Sequence, residues 1–193
     1  LVAAAAGAIL ALVTTPWLIL VGAAAIAAGW FYTGGPSPYG YAGYGEVFVF
    51  IFFGLVATVG SVYVVIERIP GWAWVFGAGV GCWACALLVV NNRRHIPTDH
   101  LNGKRTLAVR LGDQRTRMLY IALVVSGVFL GLVPVVNEPW CWVVVVSVPW
   151  IVTPIQTVTS GASGRDLVPV LERTGRAQLV FGTLVCIALI VGR

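Results

Sequence analysis

Charged residues are scarce in this chain. Asp, Glu, Lys and Arg make up 10% of its 193 residues, whereas hydrophobic residues make up 59%. A soluble domain carries about 25% charged residues, so this composition excludes an ordinary soluble protein. Apolar runs of about 20 residues recur along the chain, and that length is typical of membrane-spanning helices. We therefore predict an all-α fold, a polytopic transmembrane helix bundle.

Two further absences narrow the possible functions. Despite the net charge of +5, the sequence has no Arg- or Lys-rich stretch with interleaved aromatic residues, which argues against nucleic acid as a partner. Among the four cysteines, Cys82 and Cys85 form a CxxC pair, but no histidine or second pair lies nearby. We expect these two thiols to pack as small apolar side chains rather than to bind zinc or form a disulfide.

The hydrophobic pattern predicts seven helical membrane segments. The sixth contains Pro149 and Pro154, which predict a kink or a break near them. The first apolar run is about 20 Å long as a helix, short for a hydrocarbon core of about 30 Å. This shortness favours a fragment that lacks an amino-terminal part. The predicted segments cover about residues 1–13, 17–32, 46–66, 72–91, 118–136, 140–158 and 177–192.

Basic residues collect in alternate connections between these segments. The long polar loops 33–45, 92–117 and 159–176 hold ten of the twelve Lys and Arg residues, and the short turns between them hold few. By the positive-inside rule, the long loops face the cytoplasm. Two glycine pairs, Gly77 with Gly81 and Gly127 with Gly131, permit close helix approach. We expect them to pack within one bundle, with a dimer interface as the alternative.

The polar stretch from Asn91 to Arg117 contains seven of the twelve basic residues and both histidines. Asn91, His95 and Asp99 are spaced four apart, so they share one face if the fourth helix continues beyond the membrane surface. Pro97 predicts a kink near 93–96. An amide, an imidazole and a carboxylate can hold a hydrated Mg²⁺ that is shared with a phosphate-bearing ligand. The alternative is that the basic residues only set topology and contact lipid headgroups.

The run NNRRHIPTDHLNGKRTLAVRLGDQRTR resembles the second conserved motif of the UbiA superfamily of intramembrane prenyltransferases. It is most similar to the 1,4-dihydroxy-2-naphthoate polyprenyltransferase branch of menaquinone biosynthesis, and the stretch Trp30 to Gly54 resembles that branch too. Such enzymes have nine transmembrane helices. The resemblance therefore implies a single domain over residues 1–193 that lacks the first two helices and the first aspartate-rich motif. The matching positions of the motif are Asn91, Asn92, Arg94, Asp99 and the run Gly103 to Gly112.

The resemblance implies a reaction in the plasma membrane of a bacterium. Mg²⁺ held by two aspartate-rich motifs binds the diphosphate of a polyprenyl diphosphate, and the allylic cation alkylates 1,4-dihydroxy-2-naphthoate to give demethylmenaquinone. Asp99 carries over as a Mg²⁺ ligand, and Asn91 and Asn92 as residues that support the metal or the diphosphate. The implied diphosphate contacts are Arg94, Lys104, Arg105, His95 and Tyr32.

Two positions depart from the family pattern. His95 stands where the motif has its first aspartate, and a neutral imidazole is a poor Mg²⁺ ligand. A protonated imidazole could instead contact the diphosphate. Pro36 stands where some members have a basic residue four after the tyrosine that Tyr32 matches. These departures leave open that the protein is a non-catalytic member of the family. Two further alternatives are another aromatic prenyltransferase of the superfamily and a membrane transporter.

Three further positions are interpreted as structural. Glu46 is expected to stabilise the start of the third helix as an N-terminal carboxylate. Tyr41 and its neighbours are expected to lie in the aromatic belt at the membrane interface, because tyrosine is enriched there. Asp113 is expected to begin or cap the stretch before the fifth segment.

Overall fold

The computed structural model describes residues 2–137 and 139–192, and within them it contains helices, turns and loops but no strand. Among the described residues, five helices are long and apolar enough to cross a membrane, and two shorter apolar helices precede them. The chain is thus an integral membrane protein with an all-α fold, as predicted. In chain order the helices are α1 Val2–Val13, α2 Trp17–Thr33, α3 Gly45–Ile66, α4 Gly71–Arg94, α5 Ile96–Leu101, α6 Leu107–Val136, α7 Pro139–Thr159 and α8 Gly164–Val191.

All seven predicted segments are helical, but two begin earlier than the hydrophobic pattern indicates. Helix α6 starts at Leu107 rather than near 118, and α8 starts at Gly164 rather than near 177. The prediction that 92–117 and 159–176 are loops is therefore wrong for most of their residues. Helices extend beyond their apolar core when polar turns are capped, and the Thr106 hydroxyl accepts a hydrogen bond from the Val109 amide at the start of α6.

The irregular geometry of α6 and α7 lies near glycine and proline, although not at every proline. Helix α7 is a 3₁₀-helix up to Ser147 and becomes α-helical from Val148, with Pro149 in its first turn. The α-helix then continues through Pro154, so no break occurs there. In α6, Gly112 has a φ of 73° and interrupts the helical geometry, so Asp113 begins the long part of this helix as expected. Of the predicted turn 137–139, Glu138 lies outside the described residues, as do Leu1 and Arg193.

Helix α4 is the centre of the bundle and packs against α3, α6 and α8. Its side chain Trp83 is fully buried, and the ring contacts Phe181 of α8 with 5.8 Å between centroids. Tyr120 of α6 is also fully buried, and its hydroxyl forms a 2.7 Å hydrogen bond with Thr174 of α8. In lipid, where apolar surface gains little by leaving the solvent, such close packing and interhelical hydrogen bonds hold helices together.

Glycine residues at the contact between α3 and α4 allow the two helices to pack closely. A Cβ added at Gly54 would lie 2.5 Å from the Cα of Gly81 and 2.8 Å from the carbonyl oxygen of Gly77. Gly54 lies in a π-helical turn, Phe50–Val56, inside α3. The pair Gly77 and Gly81 therefore packs inside this chain, as expected. This close approach places the start of α3 beside the end of α4, where the polar residues lie.

Candidate functional site

A polar pocket of about 210 Å³ lies at the end of α4. It combines amide, imidazole, carboxylate, ammonium and phenol groups. Such a cluster of convergent polar groups in a concave site is a strong candidate for a binding or active site. Its lining residues are Tyr32, Gly40, Tyr41, Asn91, Asn92, His95, Asp99, Lys104 and Thr106.

An elbow in the chain positions the central residues of this pocket. Helix α4 ends at Arg94, His95 leaves helical geometry with φ −102° and ψ 2°, and α5 begins at Ile96. The Asp99 amide then donates to the His95 carbonyl at 2.8 Å, which restarts the helix. Asn91, His95 and Asp99 face the same pocket across this elbow. Both the shared face and the kink near 93–96 are confirmed.

Lys104 faces Asp99 across the pocket. The Lys104 Nζ lies 3.9 Å from the Asp99 Oδ1, and the two side chains are 36% and 14% exposed. The ammonium also lies 4.4 Å from the centroid of the Tyr41 ring. A pair at this distance in partial contact with solvent is weak, so both charges stay accessible to a ligand. Tyr41 therefore lies in the pocket wall, and its assignment to an aromatic belt was incomplete.

A backbone contact holds the loop after α2 against the segment before α6, because the Arg105 amide donates to the Tyr41 carbonyl at 2.8 Å. A second contact, from the Lys104 amide to the Asp99 carbonyl at 2.9 Å, joins that segment to α5. Arg105 itself is not among the lining residues, and its carbonyl accepts a 3.1 Å hydrogen bond from Arg110. Arg94 is likewise absent from the lining. The predicted diphosphate contacts of these two arginines stay predictions.

Arg93 has a structural role that the sequence did not single out. Its side chain is 1% exposed, and its Nε donates to the Asp113 Oδ1 at 2.7 Å. Arg117 contacts the other oxygen of Asp113 and also donates to the Thr159 carbonyl at 3.5 Å. This network joins α4, α6 and the end of α7. Through its Nε, Arg93 thus helps to hold α4 against α6.

The structure adds Glu46 to the surroundings of the site. Glu46 is 7% exposed, and its Oε1 accepts a 3.0 Å hydrogen bond from the Asn92 Nδ2. A carboxylate at a helix start needs no such burial to interact with the helix dipole, which acts at exposed positions as well. The signal available in the sequence was that Glu46 is one of only seven acids and opens an apolar span. Its partner on α4 could not be predicted.

An apolar cavity of about 600 Å³ lies between α2 and α3, next to the polar pocket. Tyr32 lines both spaces, so it stands where they meet. The Tyr39 hydroxyl donates to the Ala28 carbonyl at 2.7 Å, and its ring stacks on Phe48 with centroids 3.9 Å apart. Burial raises the pKa of Tyr39 above its ordinary value, so this phenol stays neutral. Two adjoining spaces of different character, one polar and one apolar, therefore border the same tyrosine.

The polar pocket also has donors that suit a hard divalent cation. The described residues contain no group of three or more His, Cys, Asp and Glu side chains close enough to hold a metal. Mg²⁺ does not require such a group, because it keeps several waters and takes one or two carboxylates together with substrate phosphates. Asp99 supplies a carboxylate, and Asn91 and Asn92 supply amides. His95, whose neutral imidazole favours softer metals, is the least suited member.

The fold and this pocket define a class: an integral membrane helix bundle with a polar site beside an apolar cavity. Comparison with known proteins identifies the family. The profile of the UbiA prenyltransferase family matches residues 1–167, and the chain belongs to that family. No solved structure matches the chain significantly.

Three curated relatives carry one name, 1,4-dihydroxy-2-naphthoate octaprenyltransferase. The protein of Mycobacterium tuberculosis is 48% identical over 98% of this chain and 65% of its own length. That of Mycobacterium leprae is 47% identical over 97% of this chain and 64% of its own length. That of Escherichia coli is 32% identical over 86% of this chain and 55% of its own length. The chain thus spans less than two thirds of each relative.

Proposed function

We propose that this protein transfers a polyprenyl group from a polyprenyl diphosphate to 1,4-dihydroxy-2-naphthoate in menaquinone biosynthesis. The observation that carries the proposal is the position of Tyr32, which lines both the polar pocket and the apolar cavity. A prenyl diphosphate has its charged head and its apolar tail joined at one carbon, and the polar and apolar spaces adjoin at Tyr32. The names of the relatives supply the aromatic acceptor.

The pocket residues would act on the head of the donor. Lys104 would bind the diphosphate, since its ammonium has only one weak ion pair within the described structure. Asp99, with the amides of Asn91 and Asn92, would hold Mg²⁺ against the same group. Bound Mg²⁺ supplies Lewis-acid stabilisation of the charge that develops on the leaving diphosphate. A family contact from another basic residue is absent at Pro36, so Lys104 would carry more of this role.

The reaction then needs an apolar and water-poor space. As the C1–O bond breaks, diphosphate leaves with the electron pair, and the allylic carbon becomes electrophilic. A ring carbon of the electron-rich naphthoate attacks it and forms the new C–C bond. The carboxyl group leaves as CO₂, so the product is a hydroquinone whose oxidised form is demethylmenaquinone. The aromatic wall of Tyr32, Tyr39 and Phe48 would exclude water from the cation.

The alternation of basic residues supports one orientation in the bacterial plasma membrane. The end of α4 that carries the pocket also carries Arg93, Arg94 and, across the elbow, Lys104. With this end in the cytoplasm, the pocket would meet its water-soluble aromatic acceptor directly, and the cavity would meet the lipid-borne donor. Fusion of a reporter to the loop at 102–106 would test the orientation, and a periplasmic signal would contradict it.

The decisive experiment uses membranes that contain the full-length gene product, supplied with a polyprenyl diphosphate and 1,4-dihydroxy-2-naphthoate. Asp99→Ala is expected to lower product formation by about 100-fold, because electrostatic stabilisation of the leaving group is the main catalytic contribution in such a site. EDTA is expected to abolish product, and added Mg²⁺ to restore it. Asp166→Ala changes an exposed aspartate outside the site and is the matched control.

His95 is the position at which this protein departs from the family motif, which has an aspartate there. His95→Asp adds a second carboxylate to the pocket and is expected to lower the Mg²⁺ concentration for half-maximal activity. Product from the wild-type protein that is lost on Asp99→Ala supports the proposal. If only His95→Asp forms product, the protein is an impaired copy. If neither protein forms product with this acceptor, the proposed substrate is wrong.

A further inference from the structure

Glu46 is buried without a full set of partners. Its side chain lies at the first turn of α3 and is 7% exposed. One oxygen, Oε1, accepts the hydrogen bond from Asn92 at 3.0 Å. The other, Oε2, is buried and has no hydrogen-bond partner from another residue in the described part of the chain. Burying a carboxylate in this way is unfavourable, and a helix start does not require it.

The surroundings of Glu46 are tightly built. A Cβ added at the preceding Gly45 would lie 3.3 Å from the Tyr32 ring and 3.4 Å from Leu88 of α4. The thiol of Cys85, about two turns before Asn92 on α4, donates to the Glu46 carbonyl at 3.1 Å. The start of α3 is therefore fixed against both α2 and α4. These contacts fix the backbone of Glu46, from which its carboxylate reaches the Asn92 amide.

The chemistry of the pair determines how the Asn92 amide is turned. The NH₂ group of Asn92 is the one that faces Glu46, because its Nδ2 donates the 3.0 Å hydrogen bond to Oε1. The Oδ1 of Asn92 is then on the opposite side of the amide. Asn92 lines the polar pocket, and a divalent cation or its bound water needs an oxygen there rather than an NH₂ group.

We infer that Glu46 is a positioning residue for a divalent cation site, which acts through Asn92. It holds the Asn92 amide with Oδ1 toward the pocket, through the hydrogen bond that Oε1 accepts from Nδ2. This inference rests on the proposed function, because the cation is the one that would bind a prenyl diphosphate. Replacing a residue that orients a metal ligand through a hydrogen bond commonly changes the metal affinity by about 10- to 100-fold.

The test measures cation binding rather than turnover. The full-length gene product, purified in detergent, is titrated with Mn²⁺ in the presence of geranylgeranyl thiolodiphosphate, and bound Mn²⁺ is followed by electron paramagnetic resonance. Glu46→Gln has the same shape but can donate to Asn92, so the amide is free to turn. It is expected to raise the Mn²⁺ dissociation constant by about 10-fold or more. Glu172→Gln, at an exposed position of α8, is the matched control with no expected change.

A double variant separates positioning from folding. Glu46→Gln with Asn92→Asp keeps the hydrogen bond with its polarity reversed, since the introduced glutamine would donate and the introduced aspartate would accept. The aspartate then presents an oxygen to the pocket whichever way it is turned. The double variant is expected to recover Mn²⁺ affinity to within about threefold of wild type, which a purely structural role of Glu46 would not require.

Each result decides the inference. Weak binding by Glu46→Gln with recovery in the double variant supports it. If Glu46→Gln does not fold, recovery in the folded double variant still supports it, and failure to recover overturns it. Unchanged Mn²⁺ affinity in a folded Glu46→Gln overturns this inference alone. If the wild-type protein does not bind Mn²⁺ with the diphosphate, both the inference and the proposed function fail.

Discussion

Helices α2 and α4 are both rich in apolar residues but differ sharply in their surroundings. Helix α4 buries twelve residues, among them Trp83 and Val90, against three neighbouring helices. In the described structure α2 has no buried residue, and one of its faces lines the apolar cavity with α3. One helix therefore organises a close-packed scaffold, and the other forms a wall of the cavity. Hydrophobicity alone does not distinguish these roles, because both a core and a lipid-like ligand require apolar side chains.

The largest expected effect tests the scaffold. A Cβ at Gly131 of α6 would lie 2.5 Å from Phe181 and 3.0 Å from Val144, so a leucine there cannot fit without moving helices. Overpacking of a close-packed core costs about 1–3 kcal/mol or more. We expect Gly131→Leu to abolish recovery of monodisperse protein in fluorescence-detected size-exclusion chromatography. Gly182→Leu is the control, because no atom lies within 4 Å of a Cβ there. Equal recovery of both variants would contradict close packing at Gly131.

The next effect tests the cavity wall. Gly29 of α2 lines the cavity, and a Cβ there meets no atom within 4 Å. Gly29→Leu is expected to leave folding intact and to fill part of the cavity. Activity with a long polyprenyl diphosphate should fall by about 10-fold, which corresponds to about 1.4 kcal/mol in the barrier, while activity with geranyl diphosphate is retained.

Gly22→Leu is the matched control for this cavity. Gly22 is on the same helix, is equally free of neighbours and does not line the cavity. Its activity should be independent of donor length. A similar loss for Gly22→Leu and Gly29→Leu would mean that the tail does not occupy the cavity between α2 and α3.

The smallest expected effect lies inside the scaffold. Tyr120→Phe removes the hydroxyl that bonds Thr174, and Thr174 keeps its own 2.7 Å hydrogen bond to the Val170 carbonyl. No polar group is left unpaired, so the loss should be about 1 kcal/mol of unfolding free energy, with unchanged activity. Unfolding in mixed detergent with sodium dodecyl sulfate measures it. A large loss of activity would instead connect this buried pair to the site.

The sequence predicted the elements of the fold better than their ends. Apolar runs located all seven segments, because span length is set by the thickness of the bilayer. They did not predict that α6 begins at Leu107 or α8 at Gly164, since polar turns that continue a helix have no hydrophobic signal. The π-helical turn in α3 was also not predictable, because it depends on the approach of Gly54 to α4.

The site was predictable where its residues are close in sequence. Asn91, His95 and Asp99 follow helical spacing, so a local rule brought them to one face, and the elbow at His95 preserved that arrangement. Tyr41 and Glu46 come from the segment after α2, and their contacts with Lys104 and Asn92 depend on how α3 packs on α4. Arg93 is the opposite case. It lies within the motif, but its side chain contributes to helix packing through an ion pair with Asp113.

By itself, the sequence determined that this chain spans a membrane as an all-α bundle and that its chemistry gathers in one polar stretch. Both follow from local physics: apolar helices of bilayer length, and polar groups excluded from them. Only the tertiary structure decided that Tyr32 lines both a polar pocket and an apolar cavity and that Glu46 accepts a hydrogen bond from Asn92. Those facts depend on contacts between helices distant in the chain, which form through the shapes of packed side chains rather than through any local pattern.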